Sequence, residues 1–449
     1  AARRSSMARP TTSAVVVVSS DSHVGPPPDA LREYCPAQLL DAFDADVKAG
    51  ERRGAIARAQ LELVEDGLAN RRGSGPAEAS FAWDRFWNRR TLGHHDVSAR
   101  LADMDRDGVA ANVLFHGSQN GHVIPLVSFE RGFNGDLPPA GQQSSEAEGL
   151  RIYNRWLADF CSVAPERHIA LCKVPIWDLD ESAKEVAWAS EHGFKGVHFP
   201  ATVSGLPSFE AAAWDGFFAL CAERQMPLVT HISGAEQLSP GYRGPGVWGI
   251  RAIESSFLGR RPMWLLTFSG VFDRHPDLRY VMTELPGAWW AETVREMDAA
   301  YFSFHGRRSL QGFLARRPSE YLGTNVWVGA SFQSRAEALM ALETGAEDRM
   351  MWGSDYPHTE GTWLYSEDPE EVPVTRLSLA QTFHGLPEAA VRAMVGANAI
   401  DCYRLDEAAL GAVAERVGPS LAELTTSPDL DQIPERYQGY GFRTRGAWS

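Results

Sequence analysis

The sequence predicts an α/β protein folded as a (β/α)8 TIM barrel with lid insertions. Three observations carry this. Eight short apolar or β-branched runs are spaced along the chain, amphipathic helical stretches lie between them, and six of the runs carry a carboxylate or imidazole residue at or just past their ends. Parallel strands need crossovers long enough to hold a helix, and eight such units in one chain favour a closed barrel over an open sheet.

The runs, in order, are residues 14–20 (AVVVVSS), 111–115 (ANVLF), 169–174 (IALCKV), 196–199 (GVHF), 227–231 (PLVTH), 278–284 (LRYVMTE), 326–330 (VWVGA) and 350–355 (MMWGSD). Each has strand length and is rich in Val, Ile, Phe, Tyr or Trp. Residues 149–162, 180–192, 211–224 and 334–344 carry apolar residues at helical spacing and supply crossovers. Residues 14–410 are therefore expected to form the barrel, with a long insertion at about 41–100. Residues 1–13 are expected to be a disordered or tag-derived terminus, and residues 411–449 a last helix and an irregular arm.

Composition narrows the function. The chain has 449 residues, 44% of them hydrophobic, enough to bury a large core. Its net charge of −15, with no block of Lys or Arg, argues against a phosphate backbone as partner. The five cysteines (Cys35, Cys161, Cys172, Cys221, Cys402) never stand as C-x-x-C and read as reduced core residues. No apolar run reaches the length of a membrane span, so a cytoplasmic protein is expected.

In a barrel of this kind the chemistry collects at the C-terminal ends of the strands. The first run leads into Asp21 and His23 (SSDSHV), the second ends at His116, the fourth at His198, the fifth at His231, the sixth at Glu284 and the eighth at Asp355. Asp21 and His23 stand two apart, so along a strand both point to one face. Carboxylates and imidazoles converging on one barrel mouth call for a cation. His116 alone reads better as a hydrogen-bonded loop residue, and His168 and His192 as surface residues. His358, three residues past Asp355, reaches the same mouth as a further ligand, a proton donor or a residue that only caps a turn.

With SSDSHV, LADMDRDGVAANVLF, EHGFKGVHFP, MPLVTHISG, WGSDYPH and VGANAIDCY in this order, the chain resembles the metal-dependent amidohydrolase superfamily over nearly its whole length. It is similar to the branch related to aminocarboxymuconate-semialdehyde decarboxylase. The resemblance implies a distorted (β/α)8 barrel and assigns metal ligation to Asp21, His23, His231 and Asp355. Glu284 stands where the family more often has histidine, and His198 where dinuclear members carry a bridging residue. The six-residue set Asp21, His23, His198, His231, Glu284 and Asp355 is oxygen-rich, which suits iron or manganese better than tetrahedral zinc. It resembles the diiron members of this fold that act in platensimycin-type antibiotic biosynthesis.

The resulting expectation is a non-heme dinuclear-iron monooxygenase that uses O2 and an electron donor to hydroxylate a bulky hydrophobic, diterpenoid-type intermediate. The alternative is a decarboxylase or hydrolase with one Zn or Mn ion, in which Glu284 orients His231 or acts as a base. A noncatalytic metal-holding scaffold is the third reading. Phe81, Trp83, Phe86, Trp87 and Trp248 read either as an apolar lid or as packing within the insertions; Arg72, Arg89, Arg90 and Arg251 are candidates for an anionic substrate group. Resemblance to related enzymes also implies a homodimer.

Overall fold

The computed structural model describes residues 14–52, 88–128, 137–201, 203–232, 247–285, 287–434, 437 and 440–442. Among the described residues nine short strands form one all-parallel sheet: β1 (Val18–Ser19), β2 (His23–Val24), β3 (Ala111–His116), β4 (His168–Lys173), β5 (Gly196–His198), β6 (Leu228–His231), β7 (Tyr280–Thr283), β8 (Val326–Ser331) and β9 (Met350–Gly353). β1 and β2 both pair with β3 and are two pieces of the first barrel strand, so the barrel has eight staves. Each of the eight expected runs overlaps one of them.

The sheet closes between its first and last strands. The Ser20 amide donates to the Trp352 carbonyl (2.9 Å) and the Asp355 amide to the Asp21 carbonyl (3.0 Å), and Ser22 forms a parallel bridge with Tyr356. This closure is the fold of the (β/α)8 barrel, with helices outside.

Two apolar layers hold it. Inside the barrel, Val18, Val113, Phe115, Leu171, Val229 and Trp327 belong to one buried cluster. The opposite faces of the same strands, with Val17, Leu114, Cys172 and Leu228 among them, pack against the helices. The crossover helices begin where short polar side chains accept a free amide: Asp96 from Ala99 ahead of helix Val97–Asp107, Asp178 from Glu181 ahead of Leu179–Glu191, and Ser334 in a capping box with Glu337 ahead of Arg335–Thr344. Helix Val97–Asp107 stops at Gly108, whose φ of 82° is the left-handed conformation a helix C-cap favours.

The expected helix over 211–224 divides into a tight turn, Ala212–Trp214, and helix Asp215–Glu223. All five cysteines are free, and four are buried. Among the described residues no helix is long and apolar enough to cross a membrane. After the barrel come helices Glu407–Val417 and Leu421–Thr425; farther on, Tyr437 donates to the Gly361 carbonyl (2.6 Å) and Ser378 to that of Gly441 (2.9 Å). Arg72, Phe81, Trp83, Phe86 and Trp87, and the side chains of Trp248 and Arg251, lie outside the described residues.

Candidate metal centre

The break between β1 and β2 builds the first part of the site. Val15 and Val17 pack outward and Val18 inward, so an unbroken strand would turn residue 24 inward; instead Val24 packs outward. The odd-numbered step through Ser20–Ser22 changes the parity and sends Asp21 and His23 together into the barrel. Ser19 Oγ donates to the Asp21 carbonyl (2.6 Å) and accepts from the Ser354 amide (2.8 Å), which satisfies the backbone at the break. Arg100, fully buried, donates to the His23 carbonyl (2.8 Å) and to Ser22 Oγ (2.7 Å) and fixes the same bend.

Two further carboxylates leave strand ends in a backbone conformation that L-residues rarely adopt: φ is 58° at Glu284 after β7 and 56° at Asp355 after β9. Such residues cost of order 1–3 kcal/mol and cluster at functional sites.

The side chains meet closely. His23 Nε2 lies 3.3 Å from Asp21 Oδ1 and 3.1 Å from Asp355 Oδ1. His231 Nε2 is 3.7 Å from Asp21 Oδ1 and 3.4 Å from Glu284 Oε2. His358 Nδ1 is 3.1 Å from Asp355 Oδ1 and 3.8 Å from Glu360 Oε1. The donor atoms fall into three overlapping groups, each within 4.8 Å: Asp21, His23 and His231; His23, Asp355 and His358; Glu284, Asp355 and Glu360. Ser331 Oγ donates to Asp21 Oδ2 (2.5 Å), which turns Oδ1 toward the histidines.

Hydrogen bonds fix two ring tautomers. His23 Nδ1 faces the His116 carbonyl (3.5 Å) and His358 Nε2 the Gly117 carbonyl (2.8 Å). A carbonyl only accepts, so those nitrogens carry the protons and the opposite nitrogens present lone pairs. Both lone pairs point at Asp355 Oδ1. Asp21 Oδ1, His23 Nε2, both Asp355 oxygens and His358 Nδ1 are buried with no hydrogen-bond partner. Acceptors facing acceptors out of water require a cation or protons between them, so this donor set fits a metal ion.

The electrostatics express the same demand. Burial works against the Asp21 carboxylate, yet its contacts with His23 and His231 hold it below the usual carboxylate range. Burial lowers His358, but the Asp355 charge outweighs it and the imidazole is pushed well above its ordinary value. His23 is raised as well, against burial and the neighbouring His358, by Asp21 and Asp355. Glu284 is pushed well above the carboxylate range by burial and then by Asp355 and Asp21. His231 goes down, chiefly through burial.

Of the expected site residues, Asp21, His23, His231, Glu284, Asp355 and His358 come together. His198 stands in none of the three groups; its Nδ1 lies 2.9 Å from Lys173 Nζ. His116 turns away from the mouth. Its neighbour Phe115 takes the interior face of β3, and the His116 ring packs edge-on to Tyr153 at 5.4 Å. His168, expected at the surface, is buried at the start of β4. Sequence reasoning missed Glu360, Ser331 and Arg100; only Glu360 had a signal, two residues past His358. Arg89 donates to the Gln119 carbonyl and Arg90 pairs with Glu367, 2.8 Å in each case.

Comparison with known proteins agrees with this fold. A family model described as Amidohydrolase matches residues 77–405. The γ-resorcylate decarboxylase of Rhodococcus jostii (strain RHA1) is 24% identical over 308 residues, 62% of this chain and 83% of that protein. The 5-carboxyvanillate decarboxylase of Sphingomonas paucimobilis superposes with a TM-score of 0.53 at 19% identity, covering 87% of this chain and 100% of that one. A 5-carboxyvanillate decarboxylase of Novosphingobium aromaticivorans DSM 12444, solved with manganese and 3-methoxy-4-hydroxy-5-nitrobenzoic acid, gives 0.53 at 18% identity, over 88% and 98% of the two chains.

These relatives correct the monooxygenase expectation. They are decarboxylases, and the metal named with one of them is manganese rather than a pair of irons. O2, an electron donor and a diterpenoid-type substrate leave the account with it. The oxygen-rich ligand set that suggested iron suits manganese equally. Here His23 and Asp355 link its donor groups, while His198 is engaged by Lys173. The family match runs from inside the first insertion, through the last barrel strand, to just past helix Asn398–Tyr403, and it establishes that this chain belongs to the amidohydrolase family.

Proposed function

We propose that the protein is a metal-dependent decarboxylase of a small hydroxylated aromatic acid, using one manganese or zinc ion held by Asp21, His23, His231 and Asp355. The observation that carries the reading is the set of buried, unpartnered acceptor atoms of Asp21, His23 and Asp355 at the barrel mouth; the decarboxylases among its relatives support the reaction class. When bound, the ion would supply positive charge for the oxygens of an aromatic acid.

The surrounding residues have separate tasks. Ser331 orients Asp21, and the Gly117 carbonyl holds the His358 ring against Asp355. Loss of CO2 breaks a carbon–carbon bond, leaves its electron pair on the ring carbon and needs a proton there. Glu284 stands at the rim, 13% exposed, with Oε2 3.4 Å from His231 Nε2, and is the group that delivers the proton. In this reading the proton comes from Glu284 rather than from His358, because the His358 Nε2–H is held by the Gly117 carbonyl and its Nδ1 presents a lone pair toward Asp355.

The test is anaerobic. Metal-stripped protein and protein reloaded with manganese or zinc are incubated with 2,6-dihydroxybenzoate and 5-carboxyvanillate, and CO2 and the decarboxylated product are measured. Release by the reloaded protein alone, without oxygen, is expected. A reloaded protein that releases no CO2 from either acid contradicts the proposal.

A further inference from the structure

We propose that Lys173 and His198 form a donor pair that binds an anionic oxygen, phenolate or carboxylate, of the aromatic substrate across the barrel mouth from the metal ligands. This rests on the decarboxylase reading and names what holds the second polar group of the substrate.

The pair is built by strand register. Lys173, at the end of β4, and His198, at the end of β5, are direct partners in the parallel ladder and point to the same side. That side is the barrel interior. Leu171, two residues before Lys173, and Val229, the partner of His198 on β6, both lie in the interior cluster. Val229 is also two residues before His231, so His198 shares a face with that histidine.

The chemistry follows from the contact. Lys173 is buried, 3% exposed, and its Nζ lies 2.9 Å from His198 Nδ1. An ammonium has only hydrogens to offer, so Nδ1 accepts and a neutral His198 ring carries its proton on Nε2. His198 then presents an N–H, not a lone pair, which agrees with its place outside the three ligand groups. Phe115 sets the spacing: its ring centroid is 5.3 Å from that of His198, 4.9 Å from that of His231 and 5.8 Å from that of His23. The buried Phe115 ring therefore separates the ligand residues from the donor pair by about the width of one aromatic ring. His198 is half-buried, open enough to meet a ligand.

The test uses manganese-loaded wild type, Lys173→Met, Lys173→Arg, His198→Phe and His198→Gln, with thermal melts to verify folding. Metal content and the affinity for 3-methoxy-4-hydroxy-5-nitrobenzoic acid are both measured. Lys173→Met and His198→Phe are expected to keep the metal and to bind the probe about 10–100-fold more weakly, the range for losing a hydrogen bond to a charged group. Lys173→Arg and His198→Gln, which retain donors, should recover part of the loss. Wild-type affinity in the Met and Phe variants would overturn the pair while leaving the decarboxylase reading intact, and loss of metal in His198→Gln would overturn it by making His198 a ligand. A wild-type protein that binds manganese but not the probe would refute the aromatic-acid reading and the pair with it.

Discussion

Replacing Ser331 by Ala should weaken metal binding by about 10–100-fold although Ser331 touches no ion. Its hydroxyl donates to Asp21 Oδ2 at 2.5 Å, and both side chains are fully buried. A hydrogen bond to a charged group contributes about 1.5–3 kcal/mol, and a buried carboxylate oxygen left without it keeps its desolvation cost. Divided by about 1.4 kcal/mol per decade, that is roughly one to two orders of magnitude in affinity. Mutations of groups that orient metal ligands give a similar range, about 10–100-fold. The assay is competition between metal-stripped protein and a chelating indicator for manganese, comparing wild type, Ser331→Ala and Ser331→Thr. Threonine keeps the hydroxyl and should retain most of the affinity. If Ser331→Ala binds manganese within twofold of wild type, Asp21 is not a ligand that this hydroxyl orients, and the reasoning is wrong.

The same geometry gives three other expectations. A Cβ on Gly353 would sit 3.0 Å from Asp21 Cβ and 3.1 Å from Ser20 Oγ, so Gly353→Ala should cost about 1–3 kcal/mol in thermal unfolding and lower manganese affinity by displacing Asp21; unchanged affinity would count against it. Glu284→Gln should keep the metal and slow decarboxylation by about 10²–10⁴-fold; an enzyme at wild-type speed removes Glu284 as the proton donor. Asp107, buried and accepting from Thr375 Oγ1 at 2.6 Å, has its carboxyl pushed up by burial to about 7 from 3.8. The folded state therefore keeps a proton that the unfolded chain loses, so this group's contribution to stability is full below pH 3.8 and is lost as pH rises to about 7. Asp107→Asn should flatten that decline in denaturant melts at pH 4 and pH 7, and an undiminished decline would refute the assignment.

How much of this was legible in the sequence differs from residue to residue. Every barrel strand could be found because its run is apolar on both faces, as a sheet covered by helices requires. The same double-sided apolarity hides parity: ANVLFH does not reveal that Phe115 turns inward and His116 outward. Asp21 and His23 were legible as a pair, yet the bulge that brings them inward with Val18 has no signature in SSDSHV. Ser331 and Arg100 were not legible, because their work depends on meeting Asp21 and Ser22 across the closed barrel. His198 was readable as a strand-end residue, but its contact with Lys173 depends on the register between β4 and β5, and with it the distinction between a ligand and a hydrogen-bond donor.

The most direct test of the proposed centre is the manganese-to-protein ratio of purified, metal-reloaded wild type, His23→Ala and Asp355→Asn, each verified as folded by its thermal melt. His23 Nε2 and Asp355 Oδ1 stand 3.1 Å apart at the middle of the three donor groups, so removal of either should empty the site. The account predicts one tightly bound ion per chain in the wild type and none in the two variants. Full manganese retention by both folded variants would contradict it.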